Sequence, residues 1–158
     1  MHARGLAVCT IIASLLTAAG CATSPEDEAR RKEMEADIDE ILAYELDPAE
    51  VGEPRECLSE IEFRSHRALG NRHLLFEGKR GKLWVNVLRG RCTSLNDDSV
   101  FIMKPRLSGR LCEFDSFNVV YRFESLSDAR SAPICVLGEF KPVIEAQVKE
   151  IEDRLEMR

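Results

Sequence analysis

The sequence contains no apolar run of about 20 residues, the length that a helix needs to span a bilayer. It also contains no Gly-x-Ser-x-Gly nucleophile motif, no His-Glu-x-x-His zinc motif, no internal repeat and no low-complexity tract. Of its 158 residues, 44% are hydrophobic and 32% are charged. The chain is therefore too apolar to be disordered throughout and too short for a large multidomain enzyme, and we expect one domain with an extension.

The sequence has only three histidines and no closely spaced pair of cysteines. His66 and His73 are the two that follow residue 20, and no set of acidic ligands has a useful spacing around them. We interpret both as surface histidines and predict no metal and no cofactor. The cysteine spacings match neither a zinc site nor a redox Cys-x-x-Cys motif.

Four well separated cysteines lie in the second part of the chain: Cys57, Cys92, Cys112 and Cys135. An even number of such cysteines predicts two disulfides and no reactive thiol in a domain that reaches an oxidising compartment, and the amino-terminal segment described next supplies that condition. Three pairings are open. We favour a Cys92–Cys112 bridge, which would close a loop around a predicted strand at 100–103. The second bridge, Cys57–Cys135, would then join the two ends of the β-rich body that these four cysteines span.

The first 20 residues have the layout of an export signal. Arg4 precedes an apolar run at 6–16, and small residues at 17–20 lead to Cys21. This layout resembles the bacterial lipobox, in which the cysteine becomes the first residue and receives diacylglycerol and an acyl chain such as palmitate. The resemblance implies a lipoprotein signal peptide over 1–20 and lipidation of Cys21.

The alternative for this segment is an ordinary signal peptide that is cut near Gly20. Several acyl chains hold a protein firmly on a membrane, whereas one chain is marginal. By resemblance to the sorting of enterobacterial lipoproteins, Ala22, where a retention signal would have Asp, implies transfer to the periplasmic face of the outer membrane. We therefore expect a lipoprotein of the bacterial cell envelope, located in the periplasm.

Charge divides the remaining chain near residue 56. Residues 22–56 contain thirteen acidic and four basic residues, whereas 57–158 have a net charge of +2. Ser24, Pro25 and the acidic residues at 26–28 predict the start of a helix. We interpret residues 21–56 as the lipidated cysteine and an acidic helical tether, a solvated spacer. The alternative is a partner helix that uses the thin apolar stripe from Met34 to Leu42.

Residues 57–158 have the pattern of a β-rich body. Four segments show the alternating or continuous apolar pattern of strands, and they are 73–77, 83–88, 100–103 and 117–123. Residues 77–82 form a predicted hairpin turn in which Gly78 and Gly81 are able to take positive φ. After Pro142 the apolar period becomes helical, at Ile144, Val148, Ile151 and Leu155.

These patterns predict an α+β, mainly β fold. We expect a small antiparallel barrel or sandwich of five to six strands, with an N-terminal tether helix and a C-terminal amphipathic helix.

Several motifs of the body match a known pattern. They are Leu83-Trp84-Val85-Asn86-Val87-Leu88 leading to Cys92, Leu111-Cys112-Glu113-Phe114-Asp115, and Cys135-Val136-Leu137-Gly138-Glu139-Phe140-Lys141-Pro142. On these motifs the chain resembles an uncharacterised proteobacterial envelope lipoprotein family, domain of unknown function 6491, over about residues 57–142. The resemblance implies an exported, disulfide-bearing domain, and it brings no activity and no catalytic residue.

Basic residues outnumber acidic residues by eleven to five over 57–110. Arginine near an aromatic side chain on a small β-fold is able to bind anions. The candidate anionic-ligand face consists of Arg64, Arg67, Arg80, Lys82 and Trp84. The alternative is a solvated basic face that balances the acidic tether.

We therefore expect a noncatalytic binding or scaffolding module that is attached to a membrane through its lipid. Its partner would be an envelope protein or an anionic glycan or lipid, and the exported compartment argues against nucleic acid. The alternative is a small periplasmic hydrolase that uses carboxylates near Cys112. Alternation would place Glu113 and Asp115 on one solvated strand face, where a pair of carboxylates can perform acid–base chemistry.

Overall fold

The structure, a computed structural model, describes residues 24–96, 98–121 and 132–156. Its helices are α1 (Pro25–Ala43), α2 (Pro48–Val51) and α3 (Glu145–Glu156). Its strands are β1 (Cys57–Ser59), β2 (Phe63–Leu69), β3 (His73–Gly78), β4 (Leu83–Val87), β5 (Ser99–Lys104), β6 (Arg110–Cys112), β7 (Ser116–Tyr121), β8 (Ile134–Val136) and β9 (Phe140–Val143). The fold is α+β and mainly β, as the sequence predicted.

The elements form three layers. The central layer is a four-stranded antiparallel sheet in the order β2-β3-β4-β9. Helices α1 and α3 cover one face of this sheet, and the three-stranded sheet β5-β7-β8 packs on the other face. Strands β1 and β6 form a separate antiparallel pair. Within the described ranges, the sheets do not close into a barrel.

Alternation along β3 and β4 divides the apolar side chains between two cores. Leu74, Phe76 and Trp84 point towards the three-stranded sheet, where they meet Phe117. The intervening residues of the same strands, such as Val85, point towards α1 and α3. One sheet therefore organises both halves of the interior.

Helix α1 begins as the sequence predicted. The Ser24 hydroxyl accepts a hydrogen bond from the Asp27 backbone amide at 3.1 Å, and Pro25 occupies the first turn. Its second half, however, is packed on the body: Ile38 is 1% exposed, and Leu42 is buried in the core beneath the four-stranded sheet. The prediction of a solvated spacer is therefore wrong for this half of the helix, because its thin apolar stripe is wide enough to cover the sheet.

Helices α1 and α3 run antiparallel. Arg154, near the end of α3, binds Asp37 of α1 at 3.2 Å, and Gln147, near the start of α3, donates to the Ile41 carbonyl at 2.9 Å. The start of α1 therefore lies beyond the end of α3. The start of α3 lies beside the turn between β3 and β4, with Ala146 and Lys149 lining the same cleft as Gly81. The amino end of α1 and this turn are consequently at opposite ends of the molecule.

The described residues form two disulfides, but their pairing differs from the predicted one. The bridges are Cys57–Cys112 and Cys92–Cys135. Strand β6 pairs with β1, and this register places Cys112 directly opposite Cys57. The predicted Cys92–Cys112 bridge is wrong because the strand at 100–103 pairs with β7 and does not bring those two cysteines together.

The turn between β3 and β4 is the predicted hairpin turn, with one difference in its backbone. Positive φ occurs at Gly81, with 72°, and at Arg80, with 60°, whereas Gly78 has a φ of −94°. Gly78 is required for a different reason: a Cβ atom there would lie 2.4 Å from Cζ3 of Trp84. Glycine at this position allows the turn to close over the indole ring.

Pro142 lies inside β9 and does not open the C-terminal helix as predicted. It is opposite Trp84 in the register between β4 and β9. Strand β9 is at the edge of the sheet, so that a residue without a backbone N–H is tolerated there. Helix α3 starts three residues later and buries Val148 and Ile151, two of the four predicted apolar positions.

Candidate functional site: a basic end of the body

Three turns of the chain meet at one end of the body. The Glu60 amide donates to the Gly109 carbonyl at 3.0 Å, and the Lys79 amide donates to the Glu62 carbonyl at 3.2 Å. These bonds join the turn at 59–62 to the turns at 107–110 and 79–82. We call this region the basic end, and it consists of Ile61, Arg64, Lys79, Arg80, Lys82, Leu107 and Arg110.

The turn at 59–62 is held by an ion pair with the segment that precedes the body. Arg55 binds the Glu62 carboxylate at 2.9 Å, and its guanidinium lies 5.4 Å from the centroid of the Trp84 ring. The other Glu62 oxygen accepts from the Ser59 amide at 3.0 Å. The bond from Arg55 is the main cause of the lowered pKa of Glu62, and the nearby charge of Lys82 contributes to it. The charge of Lys82 therefore lies near the turn at 59–62.

Two large apolar side chains project from the basic end. Ile61 is 76% exposed and Leu107 is 57% exposed. Each sits at the tip of a turn that is bound to the next turn by backbone hydrogen bonds. Exposed apolar side chains beside clustered cations are typical of surfaces that bind a partner.

The cations of the basic end differ from most other cations of the body in their partners. Arg67 and Arg89 each bind a carboxylate at the surface, and Arg106 binds the buried carboxylate of Asp115. Within the described part of the chain, Arg64, Lys79, Arg80, Lys82 and Arg110 form no ion pair, and all five are exposed. Their donors are therefore available to an anion in solution.

The structure brings together three of the five residues in the predicted anionic-ligand face. Arg64, Arg80 and Lys82 lie at the basic end. Arg67 points towards the helices and binds Glu77 and Glu152, as the strand alternation places it on the opposite face. Trp84 is 1% exposed and cannot touch a ligand; its ring supports Arg55 from below.

The sequence did not single out the remaining members of the basic end. Lys79 and Arg110 were counted among the basic residues, but they are far apart in the chain, and only the β1–β6 pairing brings them near one another. Ile61 and Leu107 have no neighbours in a periodic pattern. Because each stands alone in a short turn, no repeating apolar pattern in the sequence predicts that it is exposed.

Glu113 and Asp115 do not share a solvated strand face as predicted. They lie in the turn between β6 and β7, and Asp115 is buried. Its carboxylate accepts from the Cys112 amide at 2.8 Å and from Nε of Arg106 at 2.8 Å. Burial alone would raise the pKa of Asp115, but these hydrogen bonds outweigh it and hold the pKa below its usual value.

Glu113 is also occupied, because it binds Arg89 at 2.6 Å. Arg89 lies 4.3 Å from the ring centroid of Phe114, which has a φ of 69°. Both carboxylates therefore shape this turn, and neither is presented as a free acid or base.

The two histidines are not on the surface as predicted. His66 is half-buried among aromatic rings, with its centroid 5.3 Å from that of Phe101, and burial lowers its pKa. His73 is buried between the sheet and α1, and its Nε2 atom has no hydrogen-bond partner in the described structure. Both residues are at positions of β2 and β3 that face a core. Among residues 24–96, 98–121 and 132–156, no three His, Cys, Asp or Glu side chains form a group that could hold a metal ion.

Cys21, the predicted lipidation site, and the predicted signal peptide lie outside the described residues. None of the helices in the described ranges is long and apolar enough to cross a membrane. No family model, no curated protein and no solved structure matches this chain. The resemblance to the envelope lipoprotein family stays a prediction.

Proposed function

We propose that the chain is a lipid-anchored protein of the bacterial cell envelope, attached through Cys21, whose basic end binds an anionic envelope component. In this proposal the protein is a noncatalytic binding module. The main support is the cluster of five unpaired cations around two exposed apolar tips. This cluster is held by bonds between turns and needs little rearrangement to bind a partner.

The direction of α1 indicates how the protein would be oriented on the membrane. Three residues separate Cys21 from the first residue of α1, and α1 starts at the end of the molecule opposite the basic end. The exposed first turns of α1 would stand next to the membrane. The basic end would then point away from the anchoring membrane, towards components of the periplasm.

The alternative of a small hydrolase has no observation in its favour at the predicted carboxylates. Asp115 is enclosed by hydrogen bonds and Glu113 is paired with Arg89. The binding function is therefore proposed for the basic end, whose cations are exposed and form no ion pair within the described residues.

Fractionation of cells tests the anchor. The variant Cys21→Ala should move the protein from the membrane pellet to the periplasmic fraction, and the wild-type amino-terminal peptide should have the mass of an acylated cysteine. A membrane fraction that is unchanged in the variant, together with an unmodified wild-type peptide, would contradict the anchor.

Charge reversal tests the basic end in the exported Cys21→Ala protein. The pair Arg80→Glu and Lys82→Glu should weaken binding to phosphatidylglycerol vesicles or to dextran sulfate by at least about tenfold, since each cation near an anionic surface contributes about 1 kcal/mol. Binding should also weaken with rising salt.

The matched control is the pair Arg30→Glu and Lys32→Glu, which makes the same change in net charge at the exposed start of α1. This control should leave binding within about twofold of the unsubstituted protein, because the affinity would depend on the basic end and not on total charge. Equal losses for the two pairs would contradict the proposal. Binding to the vesicles but not to the polymer would indicate a lipid partner, and the reverse result a glycan or acidic protein.

A further inference from the structure

A groove runs between α1 and α3 on the outer side of the helical layer. It has a volume of about 450 Å³, within the usual range for ligand-binding clefts. Its apolar lining includes Ile41, Tyr44, Leu46, Ile144 and Ala146. The floor is fixed, because buried Gln147 donates to the Ile41 carbonyl at 2.9 Å. The groove is therefore a formed feature of the helical layer.

Two apolar residues of the groove lining are exposed. Tyr44 is 72% exposed and Ile144 is 40% exposed. They stand on opposite walls of the groove, one at the end of α1 and the other just before α3. A partner that entered the groove would bury both side chains at once.

The charges around the groove are acidic. Glu40 and Glu150 lie on its two walls, and neither forms an ion pair within the described part of the chain. Among the described residues that line the groove, the one cation is Arg154, and it is bound to Asp37 at 3.2 Å. Glu40 and Glu150 therefore give each wall of the groove an uncompensated negative charge, which complements a cationic ligand.

We propose that this groove binds an amphipathic basic segment of a protein partner, which inserts apolar side chains between α1 and α3 and pairs its Lys or Arg side chains with Glu40 and Glu150. The exposed Tyr44 ring offers a further contact, because a cation over an aromatic face is attracted to it. Such a segment would lie along the groove as a third helix, a common mode of peptide recognition.

This site is separate from the basic end in its residues and in its sign of charge. The basic end presents cations from turns of the sheets, whereas the groove presents carboxylates from two helices. The proposal does not depend on the proposed function, and the two sites can be tested in the same preparation.

The probe is a fluorescent peptide of leucine and lysine with leucines at i, i+3, i+4 and i+7, measured by anisotropy with the exported Cys21→Ala protein. The double variant Glu40→Gln and Glu150→Gln should raise the Kd at least tenfold. The double variant Glu50→Gln and Glu139→Gln removes the same charge outside the groove and should change the Kd less than twofold. Tyr44→Ala should also raise the Kd, and Tyr44→Phe should restore it.

Three results would overturn the proposal. One is equal affinity of the two double variants, and another is equal binding of a scrambled peptide of the same composition. The third is self-association of the protein that Glu40→Gln and Glu150→Gln abolish, since the groove would then be a contact between copies. Arg80→Glu and Lys82→Glu should leave binding of the peptide unchanged, so that a failure at the basic end is distinguished from a failure at the groove.

Discussion

At the scale of single residues, His73 is the buried group with the strongest expected effect on pH dependence. Burial under α1 lowers its pKa to about 4, while nearby Asp39 and Glu35 oppose this shift and Arg72 and Lys141 favour it. In the unfolded chain a histidine has a pKa of about 6.5. The unfolded state therefore binds a proton between these two values that the folded state excludes.

We predict that the free energy of unfolding falls by about 3 kcal/mol in total through this contribution as the pH is lowered from about 6.5 to 4. The variant His73→Leu should flatten this part of the profile, measured by urea unfolding at several pH values. A residual slope of the same sign is expected from His66, whose pKa is also lowered by burial. An unchanged profile in the variant would show that the proton does not bind at His73.

Gly138, in the motif at 135–142, lies where the neighbouring backbone leaves no room for a side chain. A Cβ atom there would lie 2.0 Å from the Val87 carbonyl oxygen, and the Gly138 backbone exchanges two buried hydrogen bonds with the Asn86 side chain. The substitution Gly138→Ala should destabilise the fold by about 1–3 kcal/mol, because backbone must move. Gly90→Ala, which adds a methyl group to open space, should stay within about 0.5 kcal/mol of the wild type in the same thermal unfolding assay.

At the scale of elements, the attachment of α1 decides whether the acidic segment is part of the folded unit. Ile38 is enclosed between α1 and the four-stranded sheet. We predict that Ile38→Ala lowers the free energy of unfolding by about 2–5 kcal/mol, as buried truncations do. Ile61→Ala, at an exposed tip, should change it by less than about 0.5 kcal/mol. If denaturant unfolding showed equally small losses in the free energy of unfolding for Ile38→Ala and Ile61→Ala, α1 would not be packed on the sheet in solution.

Strands β3, β4, β5 and β7 could be predicted from the sequence because each has an alternating or continuous apolar pattern, and helix α3 because its apolar residues have a helical period. Helix α1 could be predicted from the capping residues at its start, whereas β2, the longest of the described strands, has no such pattern and is not among the four predicted segments. The strands at 83–88 and 117–123 alternate over five or more residues, and their observed bounds lie close to the predicted ones. Strands β1, β6 and β8 have three residues each, which is too short for a period to be seen. The packing of α1 was missed because only Ile38 and Leu42 are buried on it.

The site could be predicted only in part because it depends on contacts between distant turns. Arg80 and Lys82 are neighbours in one turn and were found together. Arg110 joins them through the pairing of β1 with β6, and no local pattern announces that pairing. The same pairing determined which cysteines meet, so one missing piece of topology explains both errors.

At the scale of the whole molecule, the two disulfides connect separate parts of the fold. Cys57–Cys112 joins β1 to β6, and Cys92–Cys135 joins the loop after β4 to the three-stranded sheet. With sequence separations of 55 and 43, each bridge should contribute about 4 kcal/mol in the chain-entropy model. Peptide mapping without reductant should find these two linkages and no alkylatable thiol among the four cysteines. A Cys92–Cys112 peptide would contradict the observed topology.

The order of the cysteines along the chain has a consequence for how the protein matures. The two bridges interleave, since Cys92 lies within the loop closed by Cys57–Cys112 and its own partner lies outside that loop. A chain that enters an oxidising compartment from its amino end exposes Cys57 and Cys92 first, and these two are not partners. A bond formed between them on arrival has to be exchanged once Cys112 and Cys135 follow, through attack of a thiolate on the early bridge. Maturation of this fold should therefore depend on a disulfide isomerase as well as on an oxidant.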